Sequence, residues 1–600
     1  MKHKKRKPVA FLLAAIAAIS LLTGNIQTFA AFPVSTEAQS GEISNTQDDE
    51  IPDTENKNPV VPDTQEPEAS DTQNTEAPGT QDSEISGTQE DGTPDTPDSV
   101  TPGAQEDGLS GKPENTAPDS TLSHTKAASK TQHGVTFETT QDYVHSIYAN
   151  GEPLLVVASE TNIQYSKLYV DSNRNGIGEA EEEILDFQGD GTMTGGGIYY
   201  ASGYGYYLPY SNIYGGSKDG NCQYDTSVTL AGRTSTGSDF SLWMLYGGNA
   251  DGTLTGNTNV TIAGGKPRWI YGGSQRGTLN GDTNIHVTGG YTESNIYGGN
   301  AFGQVNGNTN ILMESGEAVQ VFAGGERTSS VSGTASVTVS GGFINTLFAS
   351  GAGFDGTNAE VETTEISLKG GDVGMFSACP SGQNMAGTIN GALSLELSGD
   401  SFAYTGLYFG MEERPVALKE VSVALKDGNI SSLSFWSPIE ESLSVSFDHA
   451  SATSIMLADG VLDAAQSSSL SFQNCGQADA GWNTNPYLTV SALHKNKFDI
   501  ITFKDSYINY SDDTDTDGEN GPSFCSGRLV LDGGALRVIG TNGNLLTYMP
   551  ETEFINNPLL IRTAYHEGLN FAEIPDGTAR IQWMDRSGAD NTGSMEDSIF

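Results

Sequence analysis

The sequence predicts an all-β protein built as a right-handed parallel β-helix, or β-solenoid, with coils of about 26 residues. Three observations lead to this fold class. A phrase of one apolar residue, one aromatic residue and two glycines recurs along the middle of the chain, and a second phrase with two apolar residues two positions apart keeps the same period. No stretch between them has the spacing of an amphipathic helix. Units this short cannot bury their own apolar row, so we expect them to stack.

The aromatic phrase gives each coil its marker residue. Its clear copies contain Tyr214, Tyr246, Tyr271 and Tyr297, and degenerate copies contain Phe322, Phe348 and Phe376. In stacked coils, residues at one repeat position form a ladder along the axis. An exposed ladder of rings could bind the flat faces of sugars. Rings that stack on one another explain it without a ligand, and we favour stacking because the hydroxyl group is dispensable where Phe replaces Tyr.

The second phrase supplies the core. Two apolar residues two positions apart point to the same face of a strand, and a glycine-rich turn follows them. Asn259, Asn284 and Asn310 stand just before three of these pairs and are expected to form a ladder of amides. A β-sandwich or a propeller is the alternative fold, but a propeller blade usually needs about 40 residues. The pairs are Val228/Leu230, Val260/Ile262, Ile285/Val287, Ile311/Met313, Val337/Val339, Ile366/Leu368 and Leu395/Leu397.

The composition divides the chain into five predicted segments. Residues 1–31 resemble a signal peptide, with the basic start "MKHKKRKP", an apolar run and the small-residue stretch "TFAA". Residues 32–130 form an acidic spacer rich in Thr, Pro and Glu, which is expected to be disordered. A β-rich cap is predicted over 131–205, the solenoid repeats over 206–480, and further irregular β coils over 481–600.

The charge of the chain limits its partners. The formal net charge is −47 at pH 7, and the residues after Lys130 carry −34 of it. Binding of nucleic acid or anionic lipid needs clustered Lys and Arg, so we expect neither. No sorting motif or terminal apolar helix precedes Phe600, and the sequence predicts no transmembrane anchor in the mature chain. With the signal peptide, these features predict an extracellular or bacterial cell-surface location.

A calcium loop is predicted ahead of the repeats, in "DSNRNGIGEAEE". Counted from the first Asp, oxygen ligands fall at the positions of a twelve-residue calcium loop, with Gly176 at the sharp turn. The loop resembles EF-hand loops over these residues alone. Gly178 replaces an apolar residue and a strand, not a helix, enters the loop, so we expect an isolated structural Ca²⁺ site. A hairpin turn with solvated acids is the alternative. The ligands would be Asp171, Asn173, Asn175, the carbonyl of Ile177, Glu179 and Glu182.

A second acidic loop, "DTDTDGENG", is a weaker metal candidate. It offers Asp513, Asp515 and Asp517 before a glycine, but Phe524 stands where the bidentate Glu is needed. The loop is therefore either a weak second metal site or an acidic turn.

The four cysteines of an exported chain suggest two disulfides. Cys222 and Cys379 lie about six coils apart in the predicted fold, roughly 29 Å at about 4.8 Å per coil, whereas a disulfide needs Cα atoms within about 7 Å. That pair is excluded, and Cys475 with Cys525 is the bridge that the fold leaves open.

The signal, the spacer and phrases of the type "IYGGNAxG…GNTNVTI…GG" between Asn212 and Gly399 resemble the adhesin-like cell-surface β-solenoid proteins of bacteria. The resemblance implies adhesion, or binding of an extracellular glycan or host surface protein, by the long side of the solenoid. Because the sequence shows no catalytic constellation, we expect this scaffold to be non-catalytic.

Two alternatives stay open at this point. Some parallel β-helices are polysaccharide lyases or glycoside hydrolases. The cations of the repeats share no common offset, however, and no arrangement of His, Ser, Cys or paired carboxylates indicates a catalytic centre. A purely structural surface spacer is the other alternative.

Overall fold

A computed structural model describes residues 128–139, 144–184, 200–201, 205–235, 237–382, 385–410, 416–476, 488–490, 496–511, 526–539, 546–563, 568–571 and 573–584. The predicted signal peptide and nearly all of the predicted spacer lie outside these residues. So does the acidic loop with Asp513, Asp515 and Asp517.

The described chain is all β and forms a parallel β-solenoid with coils of about 26 residues, as the sequence predicts. The helical element in these residues is one 3₁₀ turn, Asp400–Phe402. One long sheet, called sheet 1 here, contains the aromatic phrase of each coil. Its strands are, in spatial order, Ala128–Gln132, Val135–Thr139, Val144–Tyr148, Asn212–Tyr214, Leu242–Tyr246, Pro267–Tyr271, Tyr291–Tyr297, Glu317–Phe322, Phe343–Phe348, Asp372–Ser377, Gly406–Phe409, Asn429–Phe435 and Ser451–Leu457.

A second long sheet, called sheet 2, contains the paired apolar residues. The strands stack in parallel because each coil adds one copy of the same phrase beside the last. The parallel row runs through Leu154–Ala158, Thr226–Gly232, Thr258–Ile262, Thr283–Val287, Thr309–Met313, Ser330–Val339, Ala359–Leu368, Ala392–Ser398, Leu418–Lys426, Ile439–Asp448, Ser467–Gln473, Phe498–Lys504, Ser526–Asp532, Glu551–Ile555 and Asp576–Gly577.

Shorter strands complete the coil between sheets 1 and 2. Asn221–Gln223, Thr253–Thr255, Thr278–Asn280 and Gln304–Val305 pair in parallel, and the row continues into the start of Ser330–Val339. Further along the chain, Met385–Ile389 continues this row, because it pairs in parallel with the start of Ala359–Leu368. It also pairs antiparallel with Gly353–Phe354 and Ser381–Gly382.

The two ends of the described chain depart from this pattern. Near the first coil, Tyr165–Val170 pairs antiparallel with Leu154–Ala158. Gly205–Tyr207 pairs antiparallel with Tyr165–Val170 on one side and with Tyr200–Ala201 on the other. Toward the C-terminus the parallel order continues in two further sheets. They contain Leu488–Val490, Tyr507–Ser511, Ala535–Ile539, Leu559–Thr563 and Arg580–Met584, and then Leu546–Met549 and Gly568–Phe571.

The predicted apolar pairs form the core. Each residue of a pair is aligned with its counterpart one coil away, for example Val260 with Ile285 and Ile262 with Val287. All seven pairs are buried. The same row continues beyond the clear repeats, because Val423 is aligned with Leu395. The period-two pattern therefore predicted the inward face correctly.

One predicted member of the aromatic ladder is wrong. The strand register aligns Phe376 with Leu347 and aligns Phe348 with Ser377. Phe376 is therefore shifted by one position from the ladder. In a strand a shift of one residue moves a side chain to the opposite face. Phe376 accordingly lies in the solenoid core, tilted against Phe409.

Candidate functional site

The aromatic ladder is buried. Rings from Tyr148 through Phe348 stack in sequence, with neighbouring centroids 4.6 to 5.0 Å apart and planes within 16° of each other. No ring of this ladder is more than 6 % exposed. The faces that a sugar would need are covered by neighbouring rings, so the geometry favours packing over ligand binding. Its members are Tyr148, Tyr214, Tyr246, Tyr271, Tyr297, Phe322 and Phe348.

Tyr148 was not expected in the ladder. It belongs to "SIYANG", an imperfect copy of the aromatic phrase in which Ala149 and Asn150 replace the two glycines. The register with Tyr214 makes it the first ring of the stack. A search that tolerated two substitutions in the phrase would have found it.

The hydroxyls of two ladder tyrosines bond to side chains two coils further along. Tyr214 donates to Gln275 Oε1 at 3.0 Å, and Tyr271 donates to Glu326 Oε2 at 2.8 Å. Gln275 and Glu326 each stand four residues after the ring of their own coil, where other coils have the small residues Ala250, Ala301 and Ala352. Burial raises the pKa of Tyr148 to about 12 and the pKa of Glu326 above its ordinary value. The hydroxyls of Tyr214 and Tyr271 are thus hydrogen-bond donors within a packed layer.

The asparagine ladder is a row of amides that bond to one another. Asn284 Nδ2 donates to Asn259 Oδ1 at 3.3 Å, and Asn310 Nδ2 donates to Asn284 Oδ1 at 3.1 Å. Each amide also donates to a backbone carbonyl in the preceding coil. These bonds account for the repeated asparagine without a ligand.

A second group of rings is exposed on the outside of sheet 1. Tyr210 is 54 % exposed, and Trp243 and Trp269 are partly exposed. The two tryptophans lie on adjacent strands with centroids 5.0 Å apart. Contacts of 5.5 to 6.2 Å between ring centroids extend the group to either side of them. This aromatic patch consists of Tyr165, Tyr207, Tyr210, Phe240, Trp243, Trp269 and Tyr291 with Arg268 and Lys266.

Arg268 lies at the centre of the aromatic patch. Its guanidinium carbon is 4.3 Å from the ring centroid of Trp243 and 4.2 Å from that of Trp269. No carboxylate forms an ion pair with Arg268 in the part of the chain that the structure describes. Lys266 is different, because it is 1 % exposed and its Nζ lies 3.6 Å from Glu293 Oε1. The patch therefore combines apolar ring surface with one half-buried cation, Arg268, that has no ion-pair partner among the described residues.

Sequence reasoning missed this patch because it followed what repeats. Trp243 and Trp269 occur in "SLWMLYGG" and "KPRWIYGG", directly before the ladder tyrosines. Arg268 and Lys266 counted only as scattered cations. Two tryptophans at nearly the same repeat position in successive coils were the available signal, since such residues meet on one face of a parallel sheet.

The predicted calcium loop folds as a tight turn after Tyr165–Val170. Asp171 is buried, and its carboxylate accepts hydrogen bonds from the backbone N–H groups of Asn175 and Gly176 at 3.1 and 2.9 Å. The side-chain amides of Asn173 and Asn175 donate to Glu179. Ile177 is 61 % exposed. Gly176 has φ +73°, as the turn at this position requires.

The loop fits a cation in part. Glu182 Oε1 accepts a hydrogen bond from the Ser172 N–H at 3.0 Å, while Glu182 Oε2 is buried without a partner. An orphaned carboxylate oxygen is what a cation would satisfy. Among the described residues, however, no three His, Cys, Asp or Glu side chains stand close enough together to hold a metal ion. The Oδ1 atoms of Asn173 and Asn175 accept the backbone N–H groups of Asn175 and Ile177 at 2.9 and 2.8 Å, so an amide rotation that turned these oxygens toward Glu179 and a cation would break both bonds.

The cysteines of the described chain are thiols. Cys222, Cys379 and Cys475 are all free, and burial raises the pKa of Cys379 to about 12. Cys475 Sγ lies 3.2 Å from the carbonyl oxygen of Gln473. Cys525, the other half of the expected bridge, lies outside the described residues.

Within the described residues no helix is long and apolar enough to cross a membrane.

The fold defines the chain as a parallel β-solenoid protein with a buried aromatic ladder and a partly exposed aromatic patch. Comparison with protein-family models, curated proteins and solved structures finds no match.

Proposed function

We propose that the chain is a non-catalytic extracellular scaffold that binds a glycan on the outside of sheet 1. The aromatic patch is the observation that supports this function. Partly exposed rings beside polar side chains offer apolar surface on which the C–H faces of a pyranose stack, and tryptophan and tyrosine are typical of such sites. The buried ladder behind the patch supplies a rigid platform. Adhesion to a glycan-coated surface is the biological role that we assign to it.

A glycan array probed with the full chain tests this proposal. We expect reproducible binding, and we expect the Trp243→Ala/Trp269→Ala double variant to lose most of it. Tyr404→Ala is the matched control, because Tyr404 is 73 % exposed and lies outside the patch. If the double variant is folded, as judged by circular dichroism, and still binds glycans, the aromatic patch is not the binding site.

The same incubation separates a binder from an enzyme. Glu326 is a carboxyl group with a raised pKa, which is a property of general acids. Its side chain is only 15 % exposed, and its Oε2 is engaged by the hydroxyl of Tyr271. We therefore expect bound oligosaccharides to be recovered at full length. Shortened products would establish the alternative, a polysaccharide-degrading enzyme, and absence of both binding and turnover would favour a structural spacer.

We also propose that the loop from Asp171 to Glu182 binds a structural Ca²⁺. The unsatisfied Glu182 Oε2 and the carboxylates of Asp171 and Glu179 support this assignment. Weak affinity, with a dissociation constant of about 10⁻⁴ to 10⁻³ M, suffices at extracellular calcium levels. Bound calcium should protect the loop from proteolysis, and Glu182→Ala should abolish the protection. Glu181→Ala is the control, since this neighbouring acid is not at a ligand position. Identical digestion with calcium and with chelator would disprove the site.

A further inference from the structure

We propose that Arg268 binds the carboxylate of an acidic sugar, so that the glycan carries an isolated or terminal carboxylated residue among neutral sugars. The inference rests on the proposed glycan-binding function and names the chemical class of the ligand. It starts from a charge without a partner in a chain whose formal net charge is −47.

The geometry leaves the hydrogen-bonding edge of Arg268 available. Its guanidinium carbon lies 4.3 and 4.2 Å from the ring centroids of Trp243 and Trp269, and its N–H groups make no hydrogen bond or ion pair among the described residues. The five N–H donors form the planar fork that matches a carboxylate. Cation–π contacts also hold the side chain in place before a ligand arrives, which lowers the entropy lost on binding.

Nearby charges are engaged elsewhere. Glu293 is paired with Lys266. Asp239, which precedes Phe240 of the patch, accepts a hydrogen bond from Gln164 Nε2 at 3.2 Å. Arg268 is the cation of the patch that remains for a ligand within the described residues.

The overall charge selects the kind of acidic glycan. A body with a net charge of −34 after Lys130 repels polyanions such as polyuronates. The Debye length is about 8 Å at physiological ionic strength, so a single carboxylate placed at Arg268 interacts mainly with the nearest charges. One carboxylate on an otherwise neutral glycan meets both conditions. The pyranose ring of that residue, or of its neighbour, would stack on Tyr210, Trp243 or Trp269.

Paired probes test this inference with the full chain. Lactose is compared with 3′-sialyllactose, and a glucose-terminated oligosaccharide with its glucuronate-terminated counterpart. We expect the carboxylated member of at least one pair to bind about tenfold more tightly, as a charge-assisted hydrogen bond supplies. Salt should weaken this preference without affecting the neutral probes. Polygalacturonate should bind no better than a neutral polymer.

Two variants assign the effect. Arg268→Gln should bring the carboxylated probe down to the affinity of the neutral probe. Arg276→Gln, on the same coil and stacked on Phe302 outside the patch, should leave the preference unchanged. Equal affinity of both members in every pair, or a preference that survives Arg268→Gln in a folded protein, would overturn the inference while glycan binding itself stands. Loss of all binding to glycans would instead refute the proposed function, and binding of acidic peptides in place of sugars would reassign the ligand.

Discussion

Replacement of Phe322 by alanine tests the ladder most directly. Phe322 is fully buried, and its ring stacks between Tyr297 at 4.8 Å and Phe348 at 4.6 Å. Truncation of a buried Phe costs about 3 to 5 kcal/mol, because both transfer free energy and packing around the resulting cavity are lost. The two broken ring contacts place the expected loss toward the upper part of that range, at about 0.5 to 1.5 kcal/mol for each pair.

Equilibrium unfolding in urea, followed by circular dichroism, measures this loss. Salt, calcium and protein concentration are kept constant. Phe322→Leu should fall between wild type and Phe322→Ala, since it fills part of the cavity. Tyr404→Ala should change the free energy of unfolding by less than about 0.5 kcal/mol, because Tyr404 is exposed. If Phe322→Ala were as mild as this control, the ladder would not be the packed layer described above. A transition that separates into two steps would show that Phe322 couples neighbouring blocks of coils.

Three further predictions concern stability. Glu326→Gln should stabilise the protein at neutral pH. Because burial raises the pKa of Glu326 in the folded state, the wild-type protein loses stability as the pH rises through that pKa. Gln carries no charge to lose this stability, and its side-chain oxygen still accepts a hydrogen bond from the hydroxyl of Tyr271. Urea midpoints at neutral and acidic pH measure this, and equal gains at both would contradict it. Gly272→Ala should lower the free energy of unfolding by about 1 to 3 kcal/mol, because the new Cβ would lie 2.2 Å from a backbone oxygen of the next coil. Gly237→Ala is the control in the same unfolding assay. Its Cβ would have a nearest contact of 3.3 Å, so its effect should be mild. Alkali should weaken the fold as pH rises from 10 to 12, because Tyr148 has a pKa of about 12 against the ordinary 10.0; a phenolate absorbance titration without an unfolding step would refute this coupling.

The fold was predictable because its signal is repeated. Each coil contains the same pair of inward-facing apolar residues, as in Val260/Ile262 and Ile285/Val287. A pattern that could arise by chance in one coil is therefore confirmed by its recurrence in the next coil. The prediction was less accurate for the degenerate copies of the aromatic phrase, toward Phe376. "MFSA" and "LFAS" look equivalent as letters, yet the register shifts Phe376 by one position and sends it to the core. Sequence alone does not reveal such a shift, because both faces of this strand accept an aromatic ring.

The candidate sites also differ in how far the sequence could predict them. The loop proposed to bind calcium has a fixed spacing within twelve residues, and its place in the turn after Tyr165–Val170 was accessible from sequence. The aromatic patch has no such spacing. Tyr165, Phe240 and Tyr291 come from separate segments, and only the folding of successive coils brings them to one surface. The burial of the ladder was also beyond reach, since a tyrosine in a strand can face solvent or a covering turn.

The ladder and the patch are in physical contact through Trp269. Trp269 packs with one side against the buried ladder and with another against Arg268. The ring of Tyr271, two residues along the same strand, is fixed by stacking on Tyr246 and Tyr297. A side chain that rests on such a layer loses little further freedom when a ligand binds. Repetition thus produces rigidity along the axis, and the few departures from repetition, namely Trp243, Arg268 and Trp269, give one part of the surface its own chemistry.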